Sequence, residues 1–246
     1  MTLIFASNTG KELYLASDGL GFYRKVDGTA KFMKVEKYIK VNDNVEILFS
    51  GRLGLATAYY TGVKKELWKK GLDEKDCDAH EIVIILAKLI NPDFEDLIER
   101  FDKSSLHPLV VEEYGSVLAF LKRKYWPLEI FVCGRDKDKN DNFLYPQIYL
   151  LNNNSGYNAL KFDREMALGG APNVIDIAGP IFDNFQFLNL IDSPIEKGKN
   201  IYSHFKKVIH KLEQECNQQE SPGVGEPIHI ARISKEGYKL LRYDEN

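Results

Sequence analysis

Residues 2–19 have the sequence TLIFASNTGKELYLASDG, and the fold prediction begins from this segment. Two runs rich in apolar and aromatic residues, 3–7 and 12–17, flank the segment NTGK at 8–11, whose composition is typical of a turn. The pattern therefore predicts a β-hairpin, with Asp18 immediately after its second strand.

The remainder of the sequence predicts blocks of helices between groups of short strands. The predicted strands are 31–41, 45–49, 127–133, 147–151, 157–162, 228–233 and 238–243. The predicted helices are 53–68, 78–89, 93–100, 109–125 and 193–219. Asn91-Pro92 separates the second helix from the third because the residue before a proline disfavours helical backbone. Turns are expected at 134–142 and 152–156.

Short connections between neighbouring strands favour antiparallel sheets over alternating β-α-β units. We therefore expect an α+β fold in one domain over 1–246, a four-layer α-β-β-α sandwich of two antiparallel sheets flanked by helices. The hairpin strands and segment 45–49 are expected to share one sheet, with helix 53–68 packed on its outer face.

Composition excludes several classes of protein. Apolar residues are 44% and charged residues 28% of the chain, which excludes a disordered, fibrous or coiled-coil protein. The net charge of −3 provides no basic field for nucleic acid. Three widely separated cysteines, the lack of a long apolar run and the lack of signal-peptide features predict a cytoplasmic protein without a membrane partner.

The dipeptide Met1-Thr2 places a threonine where removal of the initiator methionine would leave it N-terminal. A threonine with a free α-amine carries a nucleophile and a general base in one residue. The reference pKa of such an amine, roughly 7.7–8.0, lies near working pH. Many ordinary proteins also begin with Met-Thr, so the dipeptide alone assigns no catalytic role.

The hairpin and the segments after it resemble the start of a mature proteasome β-type subunit and of its bacterial two-ring relative. In that family a catalytic threonine opens the first strand and an aspartate follows the second, at the spacing of Thr2 and Asp18. The family's next landmark is a lysine on the third strand, and KYIKV at 37–41 matches the residues around it. The family then has a strand that ends in a small residue and a glycine directly before a helix, and FSG at 49–51 matches that end. The resemblance continues through 128–134, 146–156, 167–170 and 225–228, and it covers most of the chain.

The resemblance implies a fold of the N-terminal nucleophile hydrolase type and a role for each matched residue. Thr2 Oγ would attack a peptide carbonyl, and Lys37 would depress the pKa values of the threonine amine and hydroxyl. Asp18 would pair with Lys37, and the Gly51 amide would face the developing oxyanion.

The sequence departs from the family at three points. Counting residues from Thr2 without a gap places the family's lysine at Lys34. Placing it at Lys37 requires three extra residues in the preceding loop. Gly170 stands where the family has a serine that assists the N-terminal amine. Only Ser221 is a candidate for the family's later aspartate-serine support.

These features together predict a proteasome-like threonine peptidase subunit that hydrolyses peptides or unfolded proteins, without a metal or another cofactor. Two alternatives stay open: a catalytically silent structural subunit of a similar ring, and a small-amide amidohydrolase of the same fold. The resemblance also implies a homo-oligomeric ring built through helices, and it leaves an ATPase partner open. We expect Tyr59, Tyr60 and Trp68 to be exposed on the first helix for such an interface.

Overall fold

The computed structural model of the chain describes residues 2–24, 29–51, 53–100, 128–152, 157, 159–162, 166–169, 193–215 and 224–241. Its strands are β1 (Leu3–Asn8), β2 (Leu13–Ser17), β3 (Leu20–Arg24), β4 (Ala30–Lys34), β5 (Tyr38–Lys40), β6 (Val45–Gly51), β7 (Leu128–Lys137), β8 (Phe143–Asn152), β9 (Leu160–Phe162), β10 (Met166–Gly169), β11 (His229–Ser234) and β12 (Gly237–Leu240). Its helices are α1 (Leu53–Lys69), α2 (Ala79–Arg100) and α3 (Pro194–Glu215), with a 3-10 helix at Glu74–Asp76. The predicted helix over 109–125, Gly170 and Ser221 lie outside the described residues.

The N-terminal hairpin forms as predicted and lies inside a five-stranded sheet of order β10-β1-β2-β11-β12, here called sheet 1. β1 and β2 pair antiparallel, with Ile4 opposite Ser17. β10 occupies the free edge of β1, and β11 occupies the free edge of β2. The expectation that segment 45–49 joins the hairpin is wrong, because neither edge is left for it. As β6 it pairs instead with β5 and β7.

The second five-stranded sheet, here called sheet 2, has the order β5-β6-β7-β8-β9, and all its neighbouring strands are antiparallel. β3 and β4 form a separate two-stranded sheet. Three helices accompany these antiparallel sheets within the described ranges. The α+β class is therefore confirmed.

Alternation along the hairpin decides what each of its faces contacts. Leu3 and Phe5 belong to an apolar cluster that includes Phe205 of α3. Ile4, between them, belongs to a second cluster that includes Leu48 of sheet 2. Successive strand residues point to opposite faces, so one face of sheet 1 packs on α3 and the other on sheet 2.

A third apolar cluster joins the other face of sheet 2 to α1 and α2. Val63 of α1 and Ile82 of α2 lie in it together with Ile47 and Ile130 of the sheet. The first helix therefore packs on the sheet that contains β6, and not on the sheet that contains the hairpin. Burial of each such aliphatic side chain contributes about 1.5–3 kcal/mol to folding.

The second predicted helix continues past its expected end. α2 includes Pro92 and runs to Arg100, so the predicted separation at Asn91-Pro92 is wrong. A proline removes one intrahelical N–H donor but leaves the other bonds of the helix in place. The Tyr59 hydroxyl donates to Asp93 Oδ2 at 2.9 Å and ties the turn after the proline to α1. No helix in the described ranges is both long and apolar enough to cross a bilayer.

Two of the three aromatic residues expected at the surface of α1 are buried. The hydroxyls of Tyr59 and Tyr60 donate to Asp93 and Glu74, respectively. Only Trp68 of the three is largely exposed, at 80% of its surface. The tyrosines therefore attach α1 to its own neighbours, and the expectation that they form an outer surface is wrong.

Several segments differ from the predicted strands and turns. The predicted strand 31–41 divides into β4, which pairs with β3, and β5, which pairs with β6 in sheet 2. Residues 134–137, predicted as a turn, extend β7 and pair with β8. Residues 167–169, a segment covered by the family resemblance, belong to β10 and pair with β1.

Gly134 should resist substitution because β6 and β7 approach closely there. A Cβ atom at this position would lie 2.4 Å from the Asn44 carbonyl oxygen, a backbone atom that cannot rotate away. We expect Gly134→Ala to lower the free energy of unfolding by about 1–3 kcal/mol in urea denaturation. Gly54→Ala is the matched control, because a Cβ atom there meets nothing within 4 Å. Equal stability of the two variants would contradict the close approach of β6 and β7 at Gly134.

Candidate functional site

The site lies where three strand ends meet. Thr2 immediately precedes β1, Asp18 follows β2, and Lys37 precedes β5. The antiparallel hairpin places the start of β1 beside the end of β2, and the Asp18 N–H donates to Leu3 O at 3.0 Å. Lys37 comes from sheet 2, where its carbonyl oxygen accepts the Phe49 N–H at 3.1 Å. The site therefore forms between the two sheets.

Asp18 and Lys37, here called the site pair, form a buried ion pair. Lys37 Nζ lies 2.9 Å from Asp18 Oδ1 and 2.8 Å from Oδ2. The exposed fractions of the two side chains are 7% for the lysine and 0% for the aspartate. The predicted pairing is observed, although its catalytic role remains a prediction.

The Asp18 carboxylate also accepts three backbone N–H groups. Its Oδ1 accepts the Leu3 N–H at 2.7 Å, and its Oδ2 accepts those of Leu20 at 3.3 Å and Gly225 at 3.1 Å. Oδ1 is therefore shared by the lysine ammonium and the peptide N–H that follows Thr2. One oxygen atom connects the charge of Lys37 to the start of β1.

Burial perturbs both members of the site pair. It raises the pKa of the Asp18 carboxyl above its ordinary value and lowers the pKa of the Lys37 ammonium. The attraction between the two charges and the backbone N–H groups on Asp18 oppose these shifts. The lysine consequently gives up its proton more readily than a lysine in water.

The other candidate residues lie at different places. Thr2 is buried, with 5% of its surface exposed, at the start of the strand that the site pair holds. Lys34 ends β4 and is exposed. Lys34 and Lys37 do not share one regular strand, because β4 ends at Lys34 and β5 begins after Lys37. Gly51 ends β6 with φ 102°, a left-handed backbone that favours glycine.

A pocket of about 270 Å³ lies on the β11 side of the site pair. Both members of the pair line it together with His229 and apolar residues such as Ile228 and Leu240. Thr2 is not among the described residues that line it. Because β2 separates β1 from β11, the site pair stands between this pocket and the threonine.

Two contributors to the site were missed from the sequence. Gly225 acts through its backbone N–H, which any residue except proline possesses, so its identity carried no signal. His229 lies in the pocket wall and contacts Glu46. The pairing of β11 with β2 brings His229 to this position. No cluster of three His, Cys, Asp or Glu side chains suited to a metal ion occurs within the described ranges.

Replacing Asp18 and replacing Lys37 should lower the free energy of unfolding by different amounts. Lys37→Met leaves Asp18 with three N–H donors, whereas Asp18→Leu leaves a buried ammonium without its carboxylate. We expect Asp18→Leu to cost about 3–5 kcal/mol and Lys37→Met clearly less, measured by chemical denaturation. The double variant should be more stable than Asp18→Leu alone, because it removes the buried ammonium that has lost its carboxylate.

The exposed pair Lys40 and Asp43, 2.7 Å apart, is the matched control. Its corresponding variants should change stability little, because water screens exposed charges. If Lys40→Met and Lys37→Met lowered the free energy of unfolding equally, the site pair would contribute no more to stability than an exposed ion pair.

Comparison with known proteins adds no family assignment to this geometry. No protein-family model and no curated protein matches the chain. The arrangement of the side chains is therefore the basis on which a function is proposed.

Proposed function

We propose that the protein is a threonine peptidase of the N-terminal nucleophile type, in which Thr2 becomes the first residue after removal of Met1. The observation that supports this most is the site pair, a buried lysine and aspartate joined through one carboxylate oxygen to the N–H next to Thr2. The resemblance to proteasome β-type subunits assigns the same three residue types to one site.

The proposed reaction uses the threonine as nucleophile and as base. Thr2 Oγ attacks the peptide carbonyl carbon while its proton passes to the Thr2 α-amine. The positive charge of Lys37 favours the alkoxide character of Oγ and the neutral form of the amine. The amine then gives the proton to the departing peptide nitrogen, and water hydrolyses the resulting ester to release the acid and regenerate Thr2.

Two further residues have supporting roles in this proposal. Asp18 fixes the lysine by accepting from its ammonium, while its backbone bonds to Leu3 and Gly225 hold the carboxylate in place. Gly51 ends β6, the strand that precedes α1, and its amide would donate to the oxyanion.

The proposal extends to the architecture. The three apolar clusters place α3 on one face of sheet 1, sheet 2 on its other face, and α1 with α2 beyond sheet 2. This order supports a four-layer α-β-β-α sandwich of the N-terminal nucleophile hydrolase type in a single domain. We include a cytoplasmic location and a homo-oligomeric ring in the proposal. Trp68 is the exposed aromatic residue of α1 that supports a ring contact.

A silent structural subunit of such a ring is the second candidate. The burial of Thr2 favours it, because a substrate carbonyl must reach Oγ and 5% of the residue is exposed. In that case the site pair would serve only to join the two sheets. The third possibility, a small-amide amidohydrolase, is distinguished by cleavage of small amides in place of peptides.

Peptide hydrolysis by mass-verified protein that begins at Thr2 is the direct test. We expect Thr2→Ala to abolish cleavage because it removes the nucleophile, and Lys37→Ala to reduce it by about 10²–10⁴-fold. Lys34→Ala is the control, because this lysine is exposed on β4, and it should cleave like the wild type. A peptide library with mass-spectrometric detection measures the products.

The results separate the candidates. Equal cleavage by wild type and Thr2→Ala would contradict catalysis by Thr2. Absence of cleavage by Met1-free protein in its assembled state would favour the silent subunit. Retention of Met1 would contradict the proposal directly, because the Thr2 nitrogen would then be an amide that accepts no proton.

The pH dependence of kcat/KM should be bell-shaped. Activity falls at acid pH as the Thr2 α-amine, with a reference pKa of roughly 7.7–8.0, gains the proton that it must be free to accept. Activity falls at alkaline pH as Lys37 loses its charge, and burial brings this loss below the ordinary pKa of 10.5. Lys37→Arg should move only the alkaline limb to higher pH, because a guanidinium stays protonated. An unchanged alkaline limb in that variant would contradict the role of the lysine charge.

A further inference from the structure

A second group of buried polar side chains lies between the two sheets, near the strand ends that carry Asp18 and Lys37. His229 Nε2 on β11 lies 3.0 Å from Glu46 Oε1 and 3.1 Å from Oε2 on β6. The Tyr238 hydroxyl of β12 bonds to the same carboxylate, and the Tyr38 ring of β5 stacks on the imidazole. These four residues, here called the inter-sheet cluster, join sheet 1 to sheet 2.

One imidazole lies beside the chain neighbours of both members of the site pair. His229 is the register partner of Ser17, the residue before Asp18. Its ring stacks on Tyr38, the residue after Lys37, with ring centroids 3.5 Å apart and planes 9° apart. The aspartate and the lysine come from different sheets, and His229 contacts the strand end of each.

The surroundings of the inter-sheet cluster explain why a polar contact matters there. The interface around it consists of aliphatic and aromatic side chains such as Leu48, Phe131 and Leu150. Apolar contacts are nondirectional, so they hold the sheets together without strictly fixing their relative displacement. A bifurcated contact from one ring nitrogen to a fully buried carboxylate depends on distance and angle, and therefore specifies that displacement.

We infer that His229, anchored by Glu46, is a positioning residue that sets the geometry of the site pair. The inference rests on the proposed function for its catalytic consequence, while its structural content concerns the site pair alone. His229 acts through Ser17 on the aspartate side and through Tyr38 on the lysine side. It sets the distance between the lysine charge and the start of β1.

The test observes Lys37 directly, without relying on activity. In protein labelled with ¹³C-lysine, the Lys37 Cε–Hε signal is assigned by its loss in Lys37→Arg. His229→Ala removes both the stacking and the contact to Glu46, and we expect it to shift this signal. Glu46→Gln, which removes the charge that holds His229, should shift it in the same direction. The second variant also decides the question if His229→Ala does not fold.

Tyr149→Phe is the matched control for lost stability. It removes a buried hydroxyl bonded to Asp136 Oδ2 at 2.5 Å within sheet 2, and neither residue lines the pocket beside the site pair. We expect no shift of the Lys37 signal in this variant. A signal unchanged by both cluster variants, or moved as far by Tyr149→Phe, would overturn the inference.

Kinetics supply the second readout. On a cleaved peptide, His229→Ala should lower kcat about tenfold while KM stays within about twofold, because a positioning defect weakens the reacting geometry more than binding. His229→Gln can still donate an N–H to Glu46, and it should recover part of kcat. Equal kcat in wild type and His229→Ala would overturn the catalytic part. If the wild type cleaves no peptide, the proposed function fails, and the Lys37 signal still decides the positioning.

Discussion

The contact between Asp18 and Lys37 is the interaction on which the rest of the site depends. Its two charges are carried by different sheets, and both are withdrawn from water. Burial of each charge alone would be costly, so each side chain requires the other. The aspartate is the better satisfied partner, because three backbone N–H groups surround it in addition to the ammonium. The pair therefore joins the start of β1, the end of β2 and the approach to β5.

The inter-sheet cluster adds a second directional contact to the same interface. His229 and Glu46 again come from opposite sheets, and the aromatic rings of Tyr38 and Tyr238 cover the contact. Two polar contacts at separate points restrict rotation and translation of the sheets more than one contact does. The apolar residues between the sheets supply most of the stabilisation, while the polar contacts supply the register.

Local signals in the sequence predicted local structure well. The hairpin followed from the turn at 8–11 between two apolar runs, and the helix predicted over 193–219 forms as α3. The pairing of Asp18 with Lys37 came from a family resemblance, since a separation of nineteen residues across two sheets has no periodic signature.

The features that sequence analysis missed depend on long-range contacts. β6 joins the second sheet because β10 and β11 occupy both edges of the hairpin, and those strands are distant in the chain. α2 passes through Pro92 because a neighbouring helix contacts the following residue, Asp93. The strand 31–41 divides because β4 pairs with β3 while β5 pairs with β6 in the other sheet. The Gly225 N–H reaches an aspartate 207 residues earlier, so the ribosome has made nearly all of the described chain before that carboxylate acquires its full set of donors. A nascent chain that stops before Gly225 thus carries the threonine, the aspartate and the lysine without one of the three backbone donors to the aspartate, and the site is completed only when that distant segment has folded back onto the hairpin.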